Sequence, residues 1–367
     1  MQEAWYTIQD VDTLKTPALV VFPDRVQENI DAMIAMAGSP DRLWPHIKTH
    51  KMKSVTRLLM DAGIHKFKCA TLSEANMLGE LQVDEILWAI QPTGANLKAF
   101  LQLAIQYPES KWSAIVDNHK TLLEMEEVAT QYDYPFSIWL DLNVGMNRTG
   151  IDPDSEEAWM LYRRGLVSPN LVIRGLHAYD GHIRAASFEE REIQCNKSFE
   201  KVERLADKIK AKTGTPPAII TSGSPSFPHH IKRDGIFLSP GTIPFWDMGY
   251  SKLWPTSPFR PAAILVTRMI SKPAKDLLCF DLGHKTVAAE MPFPRVYFPQ
   301  LQEDATQISQ SEEHLVVQTQ HSNLYEVGDV CYAIPMHICP TVAKYSKAWT
   351  VENHQLSIPW PIDANIY

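Results

Sequence analysis

The alternation of short apolar runs with helix-patterned segments constrains the fold of this chain more than any other feature. Eight apolar runs of strand length lie between Arg42 and Pro240, and apolar residues recur at helical spacing in the segments between them. A further strand is predicted at 16–22 and a helix at 24–37. Repeated strand and helix segments predict parallel strands with helical crossovers, and the count of eight favours a (β/α)8 barrel over an open doubly wound sheet. The predicted barrel strands are 42–48, 66–70, 85–90, 112–117, 136–142, 171–179, 218–222 and 236–240.

The character of the sequence changes near Trp254. From there onward, short β-rich runs such as 263–266 are separated by turns and prolines, and helical spacing is scarce. This pattern predicts a second, mostly β domain, and we expect the N-terminal residues to pack with it. The predicted domains are therefore a barrel over residues 16–253 and a β domain over residues 254–367 together with residues 1–15.

Charge and cysteine content argue against several classes of partner. The 367 residues carry a formal net charge of -8, which does not attract nucleic acid or an anionic membrane surface. No apolar stretch reaches the length of a membrane span, and Met1–Trp5 lacks a basic and then apolar leader, so we expect a cytoplasmic protein. Five scattered cysteines without a C-x-x-C pair indicate reduced thiols rather than a disulfide framework.

A lysine-rich segment follows the first predicted barrel strand. Pro45–Lys51 contains two lysines and two histidines directly after an apolar run, so Lys48 could lie at the edge of a packed core. Burial and neighbouring positive charge both disfavour the ammonium form and leave a neutral amine that can attack a carbonyl. The alternative is a solvated basic loop that caps a strand.

Other polar residues fall at the ends of later predicted strands, where barrel enzymes carry their chemistry. Arg148 follows the fifth strand and Tyr179 ends the sixth, while small residues follow the seventh and eighth. Backbone N–H groups and hydroxyls in such loops can hold an anion, which predicts a phosphate site, although each turn alone could be structural. The residues of this predicted cradle are Ser222, Gly223, Ser224, Gly241 and Thr242.

A possible metal site lies in the predicted β domain. In extended backbone, residues i and i+2 point to the same side, so His337 and Cys339 could bind one metal ion. Nitrogen and sulfur ligands favour zinc, and two protein ligands would leave positions open for substrate. The alternative is a surface histidine beside a buried cysteine. His65 and His229–His230 lack partners at ligand spacing, and we interpret them as surface or loop histidines.

Eight short motifs carry more information together than any one of them alone. In chain order they are Thr16–Leu19, Pro45–Lys51, Ala70–Ala75, Arg148–Gly150, Tyr179–His182, Ser222–Ser224, Pro240–Thr242 and His337–Thr341. Together they resemble the D-serine dehydratase and D-threonine aldolase family, which are pyridoxal-phosphate enzymes of the alanine racemase fold. The resemblance covers nearly the whole chain and implies an alanine-racemase-like barrel, a β domain and a homodimer that acts on small-molecule D-amino acids.

The resemblance also implies roles for individual residues. Lys48 would form the Schiff base with pyridoxal 5'-phosphate, Arg148 would face its phenolate oxygen, and Tyr179 would lie beside it. His337 and Cys339 would bind a divalent metal, with zinc as first choice and manganese as the alternative. The phosphate would be held by the cradle residues Ser222, Gly223, Ser224, Gly241 and Thr242.

Two departures from the family and one motif bear on the reaction. Trp44 and Ser239 stand where relatives or alanine racemases carry arginine, which argues against simple racemisation and leaves the partner of the pyridine nitrogen unassigned. The His-x-Cys pattern around Cys339 favours a dehydratase that converts D-serine or D-threo-3-hydroxyaspartate to a 2-oxo acid and ammonia. D-threonine aldolase is the alternative. A racemase, a non-catalytic pyridoxal-phosphate carrier and a metal-dependent hydrolase are further alternatives.

Overall fold

The computed structural model describes residues 4–365, so the first three and last two residues of the predicted β domain lie outside the described residues. The chain forms two compact units. The barrel unit contains Met33–Lys48 and Thr56–Gly241, and the β unit contains the chain up to Ala32, Thr49–Val55 and Thr242–Asn365. No helix among the described residues is both long and apolar enough to cross a membrane.

The regular elements of both units are numbered here in chain order. The strands are β1 (Ala18–Val21), β2 (Lys66–Cys69), β3 (Glu85–Trp88), β4 (Lys111–Val116), β5 (Phe136–Asp141), β6 (Leu171–Ala178), β7 (Ala218–Thr221), β8 (Ile236–Leu238), β9 (Ala263–Ser271), β10 (Leu277–Phe280), β11 (Val296–Tyr297), β12 (Thr306–Gln310), β13 (Leu315–Gln318), β14 (Val330–Pro335), β15 (Lys347–Glu352) and β16 (Gln355–Pro361). The α-helices are α1 (Pro23–Ala37), α2 (Lys53–Asp61), α3 (Leu72–Glu80), α4 (Gly94–Gln106), α5 (His119–Gln131), α6 (Glu156–Leu166), α7 (Phe188–Thr213), α8 (Phe227–His230), α9 (Met248–Leu253) and α10 (Ile338–Val342).

The barrel unit is built on parallel strands in sequential order. Strands β2 to β8 form one seven-stranded sheet in which each strand pairs with the next, and helices lie between them in the chain. Seven of the eight predicted barrel strands are found at their predicted positions. They could be located because strands that are covered on both faces have continuous apolar sequences. The predicted α/β barrel class is confirmed.

The prediction of a regular strand over 42–48 is wrong, but the segment lies at the position expected for the first barrel strand. It makes two isolated parallel bridges, Leu43 to Leu238 and His46 to Lys68, and thereby contacts both edge strands of the sheet. The Lys68 N–H donates to the Pro45 carbonyl at 2.9 Å. Pro45 has no N–H to add to a ladder, so the segment closes the sheet with few bonds before the chain turns into a 3-10 helix.

Aromatic and aliphatic side chains fill the barrel interior. Trp44 and Trp139 meet edge to face with ring centroids 5.5 Å apart, and both side chains are fully buried. The Trp44 indole N–H donates to the Phe67 carbonyl at 2.8 Å, which satisfies its polar group. Leu87, Ile115 and Ile220 complete this cluster.

The β unit contains a mixed sheet, as predicted for a second, mostly β region. Its strands run in the order β12-β13-β10-β9-β1-β15-β16, and β14 pairs with β9 as well as with β11. Strand β1, predicted within 16–22, pairs antiparallel with β9 and parallel with β15 in this sheet. The domain boundary at residue 254 stays a prediction, and Thr242–Leu253 lies within the β unit.

Candidate active site

Lys48 lies at the end of the segment that closes the barrel sheet. It is half-buried within the short 3-10 helix Ile47–Thr49, and its N–H donates to His46 Nδ1 at 3.1 Å. Its Nζ lies 5.6 Å from the centre of the Tyr179 ring. The sequence therefore predicted the position of this lysine at the strand end, and its role as cofactor lysine stays a prediction.

Three cationic groups surround the Tyr179 ring. Lys48 Nζ, Lys68 Nζ and Arg148 Cζ lie 5.6, 5.4 and 5.3 Å from the ring centre. Each is within the range at which an aromatic face attracts a cation. Because the three charges also repel one another, the cluster favours an anion bound beside it. Two of these residues were predicted site residues, and Lys68 was missed.

Lys68 lies within strand β2 and is 2% exposed. Its Nζ is 3.3 Å from His177 Nε2, and His177 Nδ1 is 2.7 Å from Asp141 Oδ1. Burial and, to a smaller extent, the charge of Lys48 lower the pKa of Lys68 to about 7, against the opposing charge of Asp141. The sequence signal for this group was a lysine between the apolar residues Phe67 and Cys69 of a predicted barrel strand.

The Tyr179 ring is packed against two glycines. A Cβ added at Gly223 would lie 3.2 Å from Tyr179 Cε2, and one at Gly181 would lie 2.2 Å from the phenol oxygen. A side chain at Gly181 would displace the ring, whereas one at Gly223 would require a shift of a few tenths of an ångström. Gly223 thus packs closely against the tyrosine, which is a role that the predicted phosphate cradle did not include.

Internal hydrogen bonds occupy much of the loop after β7. The Gly223 N–H donates to Asp180 Oδ1 at 3.1 Å and to Ser226 Oγ at 2.9 Å. The Gly241 N–H donates to Ser224 Oγ at 3.2 Å. The amides of both glycines thus have partners within these loops, and their part in a phosphate site stays a prediction. A hydroxyl that accepts a hydrogen bond can also donate one, so the serines of these loops have both functions.

Ser222 and Thr242 complete the placement of the predicted cradle. Ser222 adopts a left-handed conformation with φ of 79°, and its Oγ accepts from the Ser239 N–H at 3.0 Å. Thr242 belongs to the β unit, where its Oγ1 lies 3.6 Å from Cys339 Sγ. Ser222, Gly223, Ser224 and Gly241 therefore lie in the barrel unit and Thr242 in the β unit, and their role as a cradle stays a prediction.

A buried carboxylate anchors this loop. Asp180 Oδ1 accepts from Ser226 Oγ at 2.6 Å, and Asp180 Oδ2 is 2.7 Å from His230 Nε2. Burial raises the pKa of Asp180, but the charge and hydrogen bond of His230 outweigh it and hold the pKa below its usual range. The interpretation of His229 and His230 as surface or loop residues is wrong, because both lie buried in helix α8.

The proposed metal ligands lie together in the β unit, but the sequence argument for their pairing is wrong. Strand β14 ends at Pro335, His337 caps helix α10, and Cys339 lies in the first turn of that helix. The pair therefore meets at a helix start rather than along extended backbone. Their side chains hydrogen bond to each other.

The surroundings of this pair favour a charged imidazole and a thiolate. Burial lowers the pKa of His337, but Cys339 and Glu290 outweigh it and raise the pKa to about 9. Burial raises the pKa of Cys339, but hydrogen bonds from His337 and Thr49 lower it overall. Thr49 Oγ1 lies 3.1 Å from the sulfur. A thiolate is the form that binds metal.

Glu290 is a second residue that the sequence analysis missed. Its Oε1 lies 2.5 Å from His337 Nδ1, so the carboxylate orients the imidazole that also hydrogen bonds to Cys339. A carboxylate that orients a histidine in this way is a regular feature of metal sites. The two residues are far apart in the chain, and no sequence signal connected them.

The fold and these sites agree with a family assignment. Residues 21–245 match the family model for the alanine racemase N-terminal domain, and residues 262–351 match a putative serine dehydratase domain. The chain belongs to the alanine racemase N-terminal domain family. The resemblance inferred from the eight motifs is confirmed.

Curated relatives with similar sequences narrow the class further. The chain is 24% identical to D-threonine aldolase of Arthrobacter sp, over 95% of this chain and 92% of the relative. It is 26% identical to D-threo-3-hydroxyaspartate dehydratase of Delftia sp. (strain HT23), over 64% and 62%. It is 21% identical to D-serine dehydratase of Dictyostelium discoideum, over 94% and 95%. The expected enzyme class, a lyase on the alanine racemase fold, is confirmed by these relatives.

Solved structures support the fold. The crystal structure of D-threonine aldolase from Filomicrobium marinum has a TM-score of 0.88 and 22% identity, and covers 99% of this chain and 98% of its own. D-threo-3-hydroxyaspartate dehydratase from Delftia sp. HT23 has a TM-score of 0.82 and 19% identity, over 95% and 97%. Structures of that dehydratase include a histidine-to-alanine mutant and, two positions further on, a cysteine-to-alanine mutant in a metal-free form.

Proposed function

We propose that this chain is a pyridoxal-phosphate- and metal-dependent lyase that acts on 3-hydroxy-D-amino acids. The observation that carries this proposal is the group of two lysine amines and one guanidinium around Tyr179, one of which is Lys48 at the end of the barrel-closing segment. A lysine amine beside further positive charge suits an aldehyde cofactor that also carries anionic oxygens.

The residues of the barrel unit fit this cofactor. Lys48 supplies the amine for its aldehyde, and Arg148 supplies a cation for its phenolate oxygen. The hydroxyls of Ser222 and Ser224 supply donors for the phosphate, with Gly223 and Gly241 shaping the two loops. When bound, pyridoxal 5'-phosphate would supply an electron sink for charge that develops at the substrate α-carbon.

The residues of the β unit fit a divalent metal. His337 and Cys339 offer nitrogen and thiolate sulfur, for which zinc is the first choice and manganese the alternative. The metal-free form of the dehydratase whose cysteine is replaced supports this assignment. When bound, the metal would supply Lewis-acid polarisation of the substrate β-hydroxyl.

Lys48 would act as the base of the reaction. An uncharged Nζ can take the proton from the substrate α-carbon, after which loss of the β-hydroxyl as water gives, on hydrolysis, a 2-oxo acid and ammonia. The resemblance to the dehydratases supports the assignment of Lys48 and of the His337–Cys339 pair to one reaction.

The dehydratase is favoured over two other reactions. The His-x-Cys pair is the feature by which the sequence resembles the dehydratases. Ser239, at the position where alanine racemases place an arginine, donates its hydroxyl to the Trp44 carbonyl at 2.8 Å, which does not support racemisation. D-threonine aldolase is the second candidate, because a relative with that activity matches 95% of the chain.

A product assay tests the proposed reaction. Purified protein is incubated with D-serine, D-threo-3-hydroxyaspartate and D-threonine, and 2-oxo acid is measured against glycine and aldehyde. We expect 2-oxo acid from at least one of the first two substrates. Glycine without 2-oxo acid would establish the aldolase instead.

A spectroscopic assay tests the cofactor and the lysine. We expect visible absorbance that borohydride abolishes, with the reduced label mapped to Lys48. Lys48→Ala should lose both the label and turnover, whereas the matched variant Lys53→Ala should keep them. A colourless protein would favour the hydrolase, and cofactor absorbance that no D-amino acid alters would favour the carrier.

We also propose a cytoplasmic homodimer. The support is the likeness to the family and the acidic composition rather than any contact in the structure. Light scattering of the purified protein should give twice the mass of one chain, and a monomer at micromolar concentration would contradict this assignment.

A further inference from the structure

An arginine in the β unit has buried donors that no protein group accepts. Arg295 is partly buried, and its Nε and Nη1 are enclosed without a hydrogen-bond partner among residues 4–365. Such nitrogens lose their hydration on folding, and the loss is costly unless an acceptor replaces the water. A ligand that brings oxygen acceptors to Arg295 would remove this cost.

The backbone holds Arg295 beside the segment that carries His337. Strand β11 pairs antiparallel with β14. Just outside this pairing, the Met336 N–H donates to the Arg295 carbonyl at 2.9 Å, and the Arg295 N–H donates to Gln307 Oε1 at 2.7 Å. Arg295 therefore lies across the strand pair from the residue that immediately precedes His337.

The charge of Arg295 reaches the carboxylate that orients His337. Burial raises the pKa of Glu290, but hydrogen bonds to the backbone and to His337 lower it overall, together with the charges of His337 and Arg295. Glu290 accepts from His337, and no carboxylate in the described part of the chain forms an ion pair with Arg295. The Phe293 ring, whose centre is 4.4 Å from Arg295 Cζ, holds the guanidinium through a cation–π contact.

We propose that Arg295 binds a carboxylate on the β-carbon of the substrate and thereby selects D-threo-3-hydroxyaspartate over D-serine. This inference rests on the proposed function, in which the β-hydroxyl lies at the metal of the His337–Cys339 pair. In 3-hydroxyaspartate, one carbon carries both the hydroxyl and a carboxylate, so the carboxylate lies close to that pair. A permanently charged guanidinium with several donors matches a carboxylate in both charge and shape.

The β-carbon is where the candidate substrates differ. D-serine carries only hydrogen there and D-threonine a methyl group, whereas the α-carboxylate is common to all three and is attached one carbon further from the hydroxyl. A site built to hydrogen bond a substrate group rejects an analogue without it, because the polar groups of the site then stay unpaired. Arg295 would therefore discriminate between substrates only if it binds the β-carboxylate.

Calorimetry on the full-length, zinc-loaded protein tests the binding step without turnover. The ligands are malate and 3-hydroxypropionate, which correspond to 3-hydroxyaspartate and serine without the amine and differ by one carboxylate. The wild type should bind malate about 10–100-fold more tightly, the range expected for hydrogen bonds to a charged group. Equal affinity of the wild type for the two ligands would overturn the inference, and this comparison needs no variant.

Substitution assigns the preference to the arginine. Arg295→Gln should reduce the preference for malate to less than about threefold, which is less than the effect of one such hydrogen bond. The matched variant Arg268→Gln, which removes an arginine of β9 that pairs with Asp12, should keep the preference of the wild type. An unchanged preference in Arg295→Gln would overturn the inference, because the metal alone would then account for it.

Kinetics distinguish the two carboxylates of the substrate. In Arg295→Gln, kcat/KM for D-threo-3-hydroxyaspartate should fall at least about tenfold more than kcat/KM for D-serine, chiefly through KM. Equal losses with both substrates would assign Arg295 to the α-carboxylate or to folding and would overturn the inference. Failure of the lyase assignment would appear separately, as missing 2-oxo acid with the preference for malate intact.

Discussion

Replacement of Asp180 tests the buried network that holds the loop after β7. In the structure, the two carboxylate oxygens serve three donors, namely His230, Ser226 and the Gly223 N–H. Asp180→Ala removes all three bonds and leaves His230 without its buried partner. Asp180→Asn keeps the size of the side chain and one acceptor oxygen but removes the charge.

The structure sets the expected magnitudes. Removal of one member of a buried ion pair destabilises a protein by about 3–5 kcal/mol, which we expect for Asp180→Ala. In Asp180→Asn, the amide would have to donate to His230 Nε2, and the imidazole proton would move to Nδ1, which is buried without a hydrogen-bond partner. One unsatisfied buried polar group lowers the free energy of unfolding by about 1–3 kcal/mol.

The effect should depend on pH in a defined direction. The folded pKa of Asp180 is depressed, so its contribution to stability is present above the unfolded value of about 4 and is lost as pH falls through the folded value. The difference between wild type and Asp180→Asn should therefore be largest near neutral pH and should shrink in acid.

Urea denaturation at a series of pH values measures these differences, and fluorescence titration with pyridoxal phosphate measures the effect on the loop. Asp154→Asn is the matched control, because Asp154 forms an exposed pair with Arg204 and its replacement should alter stability by less than about 1 kcal/mol. If Asp180→Ala lowers the free energy of unfolding by no more than the control does, the stabilising role of this network is refuted.

Three further substitutions test other parts of the structure. Glu290→Gln should weaken metal binding at His337 by about 10–100-fold in a chelator competition, whereas the exposed Glu313→Gln should not. Trp139→Ala should lower the free energy of unfolding by about 3–5 kcal/mol in urea, because it opens a void in the barrel core; a loss below about 1 kcal/mol would contradict the packing. The stability of the wild type relative to Lys68→Met should rise between about pH 7 and about pH 10, since over that range the unfolded lysine keeps its proton while the folded one has lost it; a constant difference would show that Lys68 does not titrate there.

The barrel strands could be predicted from the sequence because strands that are covered on both faces consist of continuous apolar residues. The segment 42–48 was located correctly for that reason. Its irregular backbone was not predicted, because Pro45 leaves room for bridges but not for a full ladder. Strand 16–22 was also found, but its pairing with β9 and β15 in the other sheet could not be predicted from its apolar pattern.

The predicted site residues were those at strand ends or within recognisable motifs. Lys68, Asp180 and Glu290 were missed, since each acts through a partner that lies far away in the chain. His230 was misjudged for the same reason: a polar residue without neighbours at ligand spacing can still have a buried partner 50 residues away. The pairing of His337 with Cys339 was expected from strand geometry and arises instead from a helix start.

The segment that completes the barrel also carries Lys48, the proposed cofactor lysine. It is fastened on one side through Leu43 to Leu238 and on the other through His46 to Lys68, by isolated bridges rather than long ladders. Local opening of this segment would displace Lys48 and at the same time break the hydrogen bond from the Lys68 N–H to the Pro45 carbonyl. Closure of the barrel and placement of Lys48 would thus be a single cooperative event. Exchange of the Lys68 and Trp44 amide hydrogens with solvent would report how often the segment opens.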